Sequence, residues 1–162
     1  MIRTALISDL ETITDIYNQA ILAGYQTGFT EPIRVEDHLA WFEEHEPGKY
    51  PILVCVDDDN VVGWLSISPY RRGRAAMRYT VELSYFVDNR QLHKGIGSQL
   101  MQEALAVCRQ LQYKTALAII LSGNSASTRL AEKFGLERWG FLPGIADFNG
   151  VECDHLYYGI KL

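Results

Sequence analysis

The sequence predicts an α/β (α+β) protein: one mixed sheet of about seven strands flanked by about four helices. Three observations predict it. Strand-like patterning recurs over residues 2–8, 52–56, 61–68, 78–87, 115–121, 136–145 and 153–162. Helical periodicity fills 9–24, 35–46, 95–112 and 124–134. The resulting order, β-α-α-β-β-β-α-β-α-β-β, departs from regular β-α alternation, so the sheet is mixed.

Each element has its own warrant. Ser8, with Glu11 three residues on, reads as a capping box for the first helix. Leu10, Ile13, Ile16, Tyr17 and Ala20 form that helix's apolar face, and Gly24 ends it. A loop spans 25–34. The second helix is acidic, with Leu39, Trp41 and Phe42 as its apolar part, and Pro47-Gly48 stops it. The next two strands form a hairpin across 57–60. That acidic turn lacks the spaced ligands, central glycine and closing glutamate of a calcium loop. Residues 71–74 are a basic loop. In the third helix Ile96, Leu100, Met101, Leu105, Cys108 and Leu111 share a face. Residues 115–121 are almost wholly apolar, as suits the middle of a sheet covered on both sides. Gly135 closes the fourth helix, and Asn149-Gly150 turns the last strand pair.

Composition narrows the function. The 162 residues suit one domain over 1–162, with 48% hydrophobic and 22% charged residues. A net charge of −5 argues against a nucleic-acid partner. No apolar run approaches the ~20 residues of a membrane span, and no basic-then-apolar leader opens the chain. Cys55, Cys108 and Cys153 are odd in number and scattered, which fits buried free thiols in a reducing compartment. The expected location is therefore cytoplasmic. His38, His45, His93 and His155 show no metal-ligand spacing, so no metal is expected.

The most informative stretch is 78–100. A strand leads to His93-Lys94-Gly95-Ile96-Gly97-Ser98, where a helix begins. A helix's first turn offers unpaired N–H groups and a positive dipole end, and glycines let a phosphate come close to them. A pyrophosphate is the natural occupant, with Lys94 adding charge. A dinucleotide fingerprint would need a glycine where Leu100 stands, and a P-loop's Gly-Lys-Ser/Thr is missing.

This strand–glycine turn–helix unit resembles the acetyl-CoA pyrophosphate loop of the GNAT superfamily, with Leu92 replacing the usual Gln or Arg. The run 79–87, Asn124 to Leu130, Glu132 to Leu136, Ile16-Tyr17-Asn18 and Phe29-Thr30-Glu31-Pro32 are similar to the phosphinothricin acetyltransferase family. The likeness spans essentially the whole chain. It implies a GNAT fold, whose central sheet is mixed and mostly antiparallel, and acetyl-CoA as co-substrate. The backbone of Tyr85, Phe86 and Val87 would pair with the pantetheine arm. His93, Lys94, Gly95, Ile96, Gly97 and Ser98 would hold the pyrophosphate. Asn124 would lie near the thioester while capping its helix, with Ser127 a further polar contact.

Glu82 falls where the family carries its base, and burial would have to raise its pKa for that role. Alternation puts Thr80, Glu82, Ser84 and Phe86 on one strand face, and Val81, Leu83, Tyr85 and Val87 on the other. A backbone N–H near Phe86 or Val87 would meet the oxyanion. Ala131 stands where many relatives carry a tyrosine, so no acid is assigned to the leaving thiolate. Phe29 and Arg78 resemble the family's acceptor end, Glu31 lies in the similar early segment, and Arg74 of the basic loop is a candidate carboxylate ligand. Arg71 and Arg72 are either further carboxylate ligands or a solvated turn. Asn149 replaces a histidine the family often has near its acceptor. The implied acceptor is the amine of a small molecule, an amino acid or analogue such as phosphinothricin or methionine sulfone, and the implied assembly is a homodimer. Two alternatives are a protein or peptide N-terminal acetyltransferase and a non-catalytic acetyl-CoA-binding GNAT module.

Overall fold

One parallel strand pair interrupts an otherwise antiparallel seven-stranded sheet of order β1-β2-β3-β4-β5-β7-β6. A computed structural model describes all residues, 1–162. The strands are β1 (Ile2–Thr4), β2 (Ile52–Asp57), β3 (Asn60–Pro69), β4 (Thr80–Val87), β5 (Thr115–Leu121), β6 (Glu137–Phe148) and β7 (Val151–Lys161). The helices are α1 (Leu10–Ala23), α2 (Val35–Glu43), α3 (Ile96–Gln110) and α4 (Ser125–Lys133). The expected architecture is thus present: a mixed, mostly antiparallel sheet of seven strands with four α-helices.

Several boundaries differ from the sequence reading. β1 ends at Thr4, and a 3-10 turn over Ile7–Asp9 leads into α1. Ser8 does not cap α1. The Asp9 carboxylate takes the local donors instead, accepting from Leu6 N–H at 2.7 Å and from both Arg3 guanidinium nitrogens at 2.6 and 2.9 Å. The charge-assisted pair with Arg3 holds this carboxylate at the turn that precedes α1. α2 stops at Glu43, and β4 begins at Thr80 after a 3-10 turn over Ala75–Met77. β6 runs on to Phe148, because Asn149 and Gly150 both take positive φ (55° and 87°) and make a tight hairpin turn.

The sheet's two faces are covered by different helices. On one, Leu100, Met101, Ala104, Leu105 and Cys108 of α3 pack on Leu53, Cys55, Leu65, Ile67, Val81 and Leu83. α4 covers the same side further along, where Ala131 joins Ala118, Ile120, Leu156 and Tyr158. On the other face Ile13 and Ile16 of α1 pack on Val54, Val61 and Trp64. The buried Trp64 indole donates to Ile13 O at 3.1 Å, so a large apolar ring is buried without an orphaned N–H. Cys55, Cys108 and Cys153 are all free and buried, as expected. No helix is long and apolar enough to cross a membrane.

Gly63 sets how closely α3 sits. A Cβ there would lie 2.9 Å from Ile96 Cγ2 and 3.1 Å from Phe86 O. The first turn of α3 therefore rests directly on the β3–β4 ladder, which fixes where its unpaired amides point.

Candidate active site

β4 and β5 pair only over Thr80–Thr115, Val81–Ala116 and Glu82–Leu117. Beyond Glu82 they part, while β4 stays paired with β3 as far as Val87–Gly63. The β4 edge from Leu83 to Val87 thus turns toward β5 with no strand partner. Backbone N–H and C=O groups seek partners, so this wedge has the chemistry to pair with an extended amide-bearing chain.

α4 closes one side of the wedge. Asn124 caps it, its Oδ1 accepting from Ser127 N–H at 3.1 Å. The Tyr85 hydroxyl donates to Ser127 O at 3.1 Å. Tyr85, Phe86, Val87, Asn124 and Ser127 are therefore gathered around the wedge.

The glycine turn lies at the start of α3. His93 and Gly95 take positive φ (65° and 81°), and Gly95 is the N-cap with no side chain capping it. The first helical bond at this end runs from Gln99 N–H to Gly95 O at 3.0 Å. The amides of Ile96, Gly97 and Ser98 precede it and have no partner within the helix. A Cβ at Gly95 would meet nothing within 4 Å, so the approach is open. Gly97 has a packing role as well. A Cβ there would lie 3.2 Å from Leu130 Cδ2, so its absence lets α3 pack on α4. Lys94 Nζ donates to Gln91 Oε1 at 2.7 Å, and Lys133 Nζ to Ser98 Oγ at 2.9 Å, which places two cations beside the turn.

On the α1–α2 side of the sheet a cleft of about 640 Å³ opens over the same strands. Its floor is a ladder of cross-strand pairs: Trp64 opposite Phe86, Ser66 opposite Ser84, and Ser68 opposite Glu82. Ile119 and Leu121 of β5 and His155 of β7 extend it. Its walls are Tyr17, Phe29, His38 and Trp41. Glu82 therefore faces the cleft, on the strand face that alternation assigns it. Burial pushes its carboxyl above the usual range, and Arg71 opposes this by favouring the anion.

The wall is built by α1. The Asn18 side chain pairs both ways with Ile33, donating to its carbonyl and accepting from its N–H at 2.9 Å each. Tyr17 shares a hydrogen bond with Thr27 at 2.6 Å and meets Phe29 edge-on at 5.9 Å. Together these pin the 24–34 loop over the cleft. The Thr14 hydroxyl donates to Leu10 O at 2.8 Å, so at 2.9 Å it can only accept from His38 Nδ1. Burial lowers the His38 pKa to about 4, so the ring is neutral near pH 7 with Nε2 unprotonated.

Of the expected acceptor residues, Phe29 lines the cleft, while Glu31, Arg74 and Arg78 lie outside its lining. Arg78 sits over the Tyr79 ring at 4.6 Å and donates to Ala75 O. Sequence reasoning missed Trp64, Ser66, Ser68, His38 and His155. The available signal was two serines at alternate positions in the otherwise apolar β3, which marks a strand face open to something polar. No group of three or more His, Cys, Asp or Glu side chains is placed to share a metal ion.

Comparison with known proteins agrees with this geometry. Residues 10–136 match the acetyltransferase (GNAT) family. A Bacillus subtilis (strain 168) protein named as a proposed phosphinothricin acetyltransferase is 37% identical over 162 residues, covering 99% of this chain and 98% of its own. The L-methionine sulfoximine/L-methionine sulfone acetyltransferase of Pseudomonas aeruginosa is 33% identical, over 99% and 94% of the two chains. The crystal structure of a GNAT phosphinothricin acetyltransferase from Sinorhizobium meliloti in complex with AcCoA superposes with a TM-score of 0.94 at 28% identity, covering 100% of this chain and 88% of that one. With a wedge, an open glycine turn and a carboxylate-floored cleft in one fold, the chain belongs to the GNAT acetyltransferases, in their phosphinothricin acetyltransferase-like family.

Proposed function

We propose that this protein transfers acetyl from acetyl-CoA to the amine of a small molecule, an amino acid or close analogue. One observation carries the reading: Glu82 lies on the cleft floor beside the point where β4 and β5 part. A thioester held along the free β4 edge and an amine held in the cleft would meet there. The residues present fit acetyl-CoA, because the wedge offers unpaired amides to pantetheine and the open turn at Gly95 offers them to a pyrophosphate.

When bound, acetyl-CoA supplies an activated acyl carbon. Glu82 takes the proton of the incoming amine, directly or through one water, so that the nitrogen lone pair can form the C–N bond. A β4 backbone N–H near Phe86 or Val87 meets the negative charge that develops on the carbonyl oxygen. The new C–N bond would replace the C–S bond of the thioester, with coenzyme A leaving as its thiolate and no side chain assigned to protonate it. Tyr85, Phe86 and Val87 serve the pantetheine arm, with Asn124 and Ser127. His93, Lys94, Gly95, Ile96, Gly97 and Ser98 serve the pyrophosphate. Phe29 contacts the acceptor, and Arg71 draws its carboxylate. Glu31, Arg74 and Arg78 belong to the approach rather than the floor.

The working unit in this reading is one domain that pairs as a homodimer in a reducing, cytoplasmic setting. β6 is an edge strand that exposes Trp139, Phe141, Leu142 and Ile145, with Val151 beside them, an apolar surface a second copy would cover. The buried free thiols suit such a compartment.

A thiol-release assay with amino acids, their analogues and short peptides tests the function. Turnover with amino acids is expected. Turnover with peptides alone would move the protein to the N-terminal acetyltransferases. Tight acetyl-CoA binding without turnover of any amine would make it a binding module.

A further inference from the structure

Ser68 stands directly across the β3–β4 ladder from Glu82, and both side chains line the cleft. Residues so opposed have Cβ atoms roughly 4.5–5.5 Å apart, within reach of a hydrogen bond between side chains. The Glu82 carboxylate nevertheless receives no side-chain hydrogen bond. Its pKa is governed by burial and by Arg71 alone.

The reason lies one residue further away. Ser68 Oγ is 3.0 Å from His45 Nε2, and His45 Nδ1 is 2.7 Å from Trp41 O. A carbonyl only accepts, so Nδ1 carries the ring proton. Nε2 of the neutral ring is then an acceptor, and the Ser68 hydroxyl must donate to it. The Trp41 ring, 4.7 Å away, holds the imidazole in place. Burial favours the neutral imidazole, and Arg72 adds to this, while the Trp41 carbonyl and Glu44 favour the cation. Arg72 is occupied by Glu44 at 3.3 Å.

We infer that His45 is a positioning residue: by holding the Ser68 hydroxyl proton, it denies Glu82 a hydrogen bond and keeps that carboxylate a stronger base. The inference deepens the reading of Glu82 as the base and rests on it. Only lone pairs of Ser68 then face the cleft, where they accept from an incoming ammonium or water. If His45 gains a proton, Nε2 becomes a donor. Ser68 is then free to turn its hydrogen to Glu82, which weakens the base. The other titratable groups near the pair are Arg71, Asp37, His38, Tyr17 and His155 around Glu82, and Arg72, Glu44 and His38 around His45. None of them is hydrogen-bonded to either residue.

The test is the Glu82 titration in the free, full-length protein, read by NMR with carboxyl-labelled glutamate and assigned by loss of the signal in Glu82→Gln. His45→Phe removes the acceptor and should lower the Glu82 midpoint by roughly one to two pH units, the worth of one hydrogen bond to a charged acceptor. His45→Gln can accept from Ser68 and donate to Trp41, and should restore the wild-type midpoint. In the double variant His45→Phe/Ser68→Ala the shift should vanish. Ser68→Ala alone should leave the midpoint in place, and a rise there would count against the inference even if His45→Phe does not fold, while His45→Gln should match the wild type. A rise of about one unit or more in Ser68→Ala would show that Ser68 already donates to Glu82 and would overturn the inference. So would an unmoved midpoint in folded His45→Phe. These titrations need no turnover, so a chain that acetylates no amine would sink the enzyme reading and leave this result to stand separately.

Discussion

The Tyr85 hydroxyl donates to the Ser127 carbonyl at 3.1 Å, bracing α4 against β4 where β4 and β5 have already parted. Burial pushes the Tyr85 pKa up to about 12, so the phenol remains a donor at any working pH. Tyr85→Phe keeps the packing and loses the brace. Acetyl-CoA should then bind roughly 2- to 10-fold more weakly, measured by calorimetry, because one neutral hydrogen bond is lost.

Glu82→Gln should lower kcat by roughly 10²–10⁴-fold while leaving acetyl-CoA affinity unchanged. In the wild type, kcat/KM should fall as pH drops through the raised Glu82 pKa, and that limb should disappear in the variant. Stability supplies an independent sign. A carboxyl whose pKa is raised on folding stabilises the protein below its unfolded value of 4.5, and that contribution is lost as pH rises through the folded value. Glu82→Gln should therefore melt higher than wild type at pH 7, with the difference closing below pH 4.5.

His38 has the opposite sign. Its pKa falls from 6.5 to about 4 on folding, so its contribution is present above pH 6.5 and is lost as pH falls toward 4. His45 and His155, also lowered by burial, lose stability over the acid side of 6.5 as well. Urea titrations at pH 7 and pH 4.5 should show a smaller loss for His38→Leu than for wild type.

Gly63→Ala should destabilise the fold by about 1–3 kcal/mol, because the added Cβ meets both the Ile96 side chain and the Phe86 backbone. The same substitution lifts the first turn of α3, so acetyl-CoA affinity should fall more than the loss of stability alone explains. Binding measured well below the melting transition separates the two effects.

Ile145→Lys together with Phe141→Lys should convert a dimer into a monomer in light scattering, since both side chains are more than half exposed on the edge strand β6. A wild-type monomer would remove β6 as the interface.

Much of this molecule is legible in its sequence, for physical reasons. Helical and strand periods declare the four helices and seven strands, and the Gly95-x-Gly97 turn marks where α3 begins with open backbone at Gly95. Alternation places Glu82 and Phe86 on one face, which proves to be the cleft floor. The start of α1 is not legible locally, because Arg3, which holds the Asp9 carboxylate at the preceding 3-10 turn, lies on another element. Arg74 and Arg78 draw attention by charge, but charge does not show which way a loop folds. The Ser68–His45 pair joins β3 to the segment after α2, 23 residues apart, and no local pattern encodes such a meeting.

The most direct measurement is a crystal structure with acetyl-CoA and an amino-acid acceptor bound to Glu82→Gln. Pantetheine should pair along the Leu83–Val87 edge, phosphates should sit on the amides at Gly95–Ser98, and the acceptor amine should face residue 82. A cofactor lying outside the β4–β5 wedge, or an amine bound remote from residue 82, would contradict this arrangement.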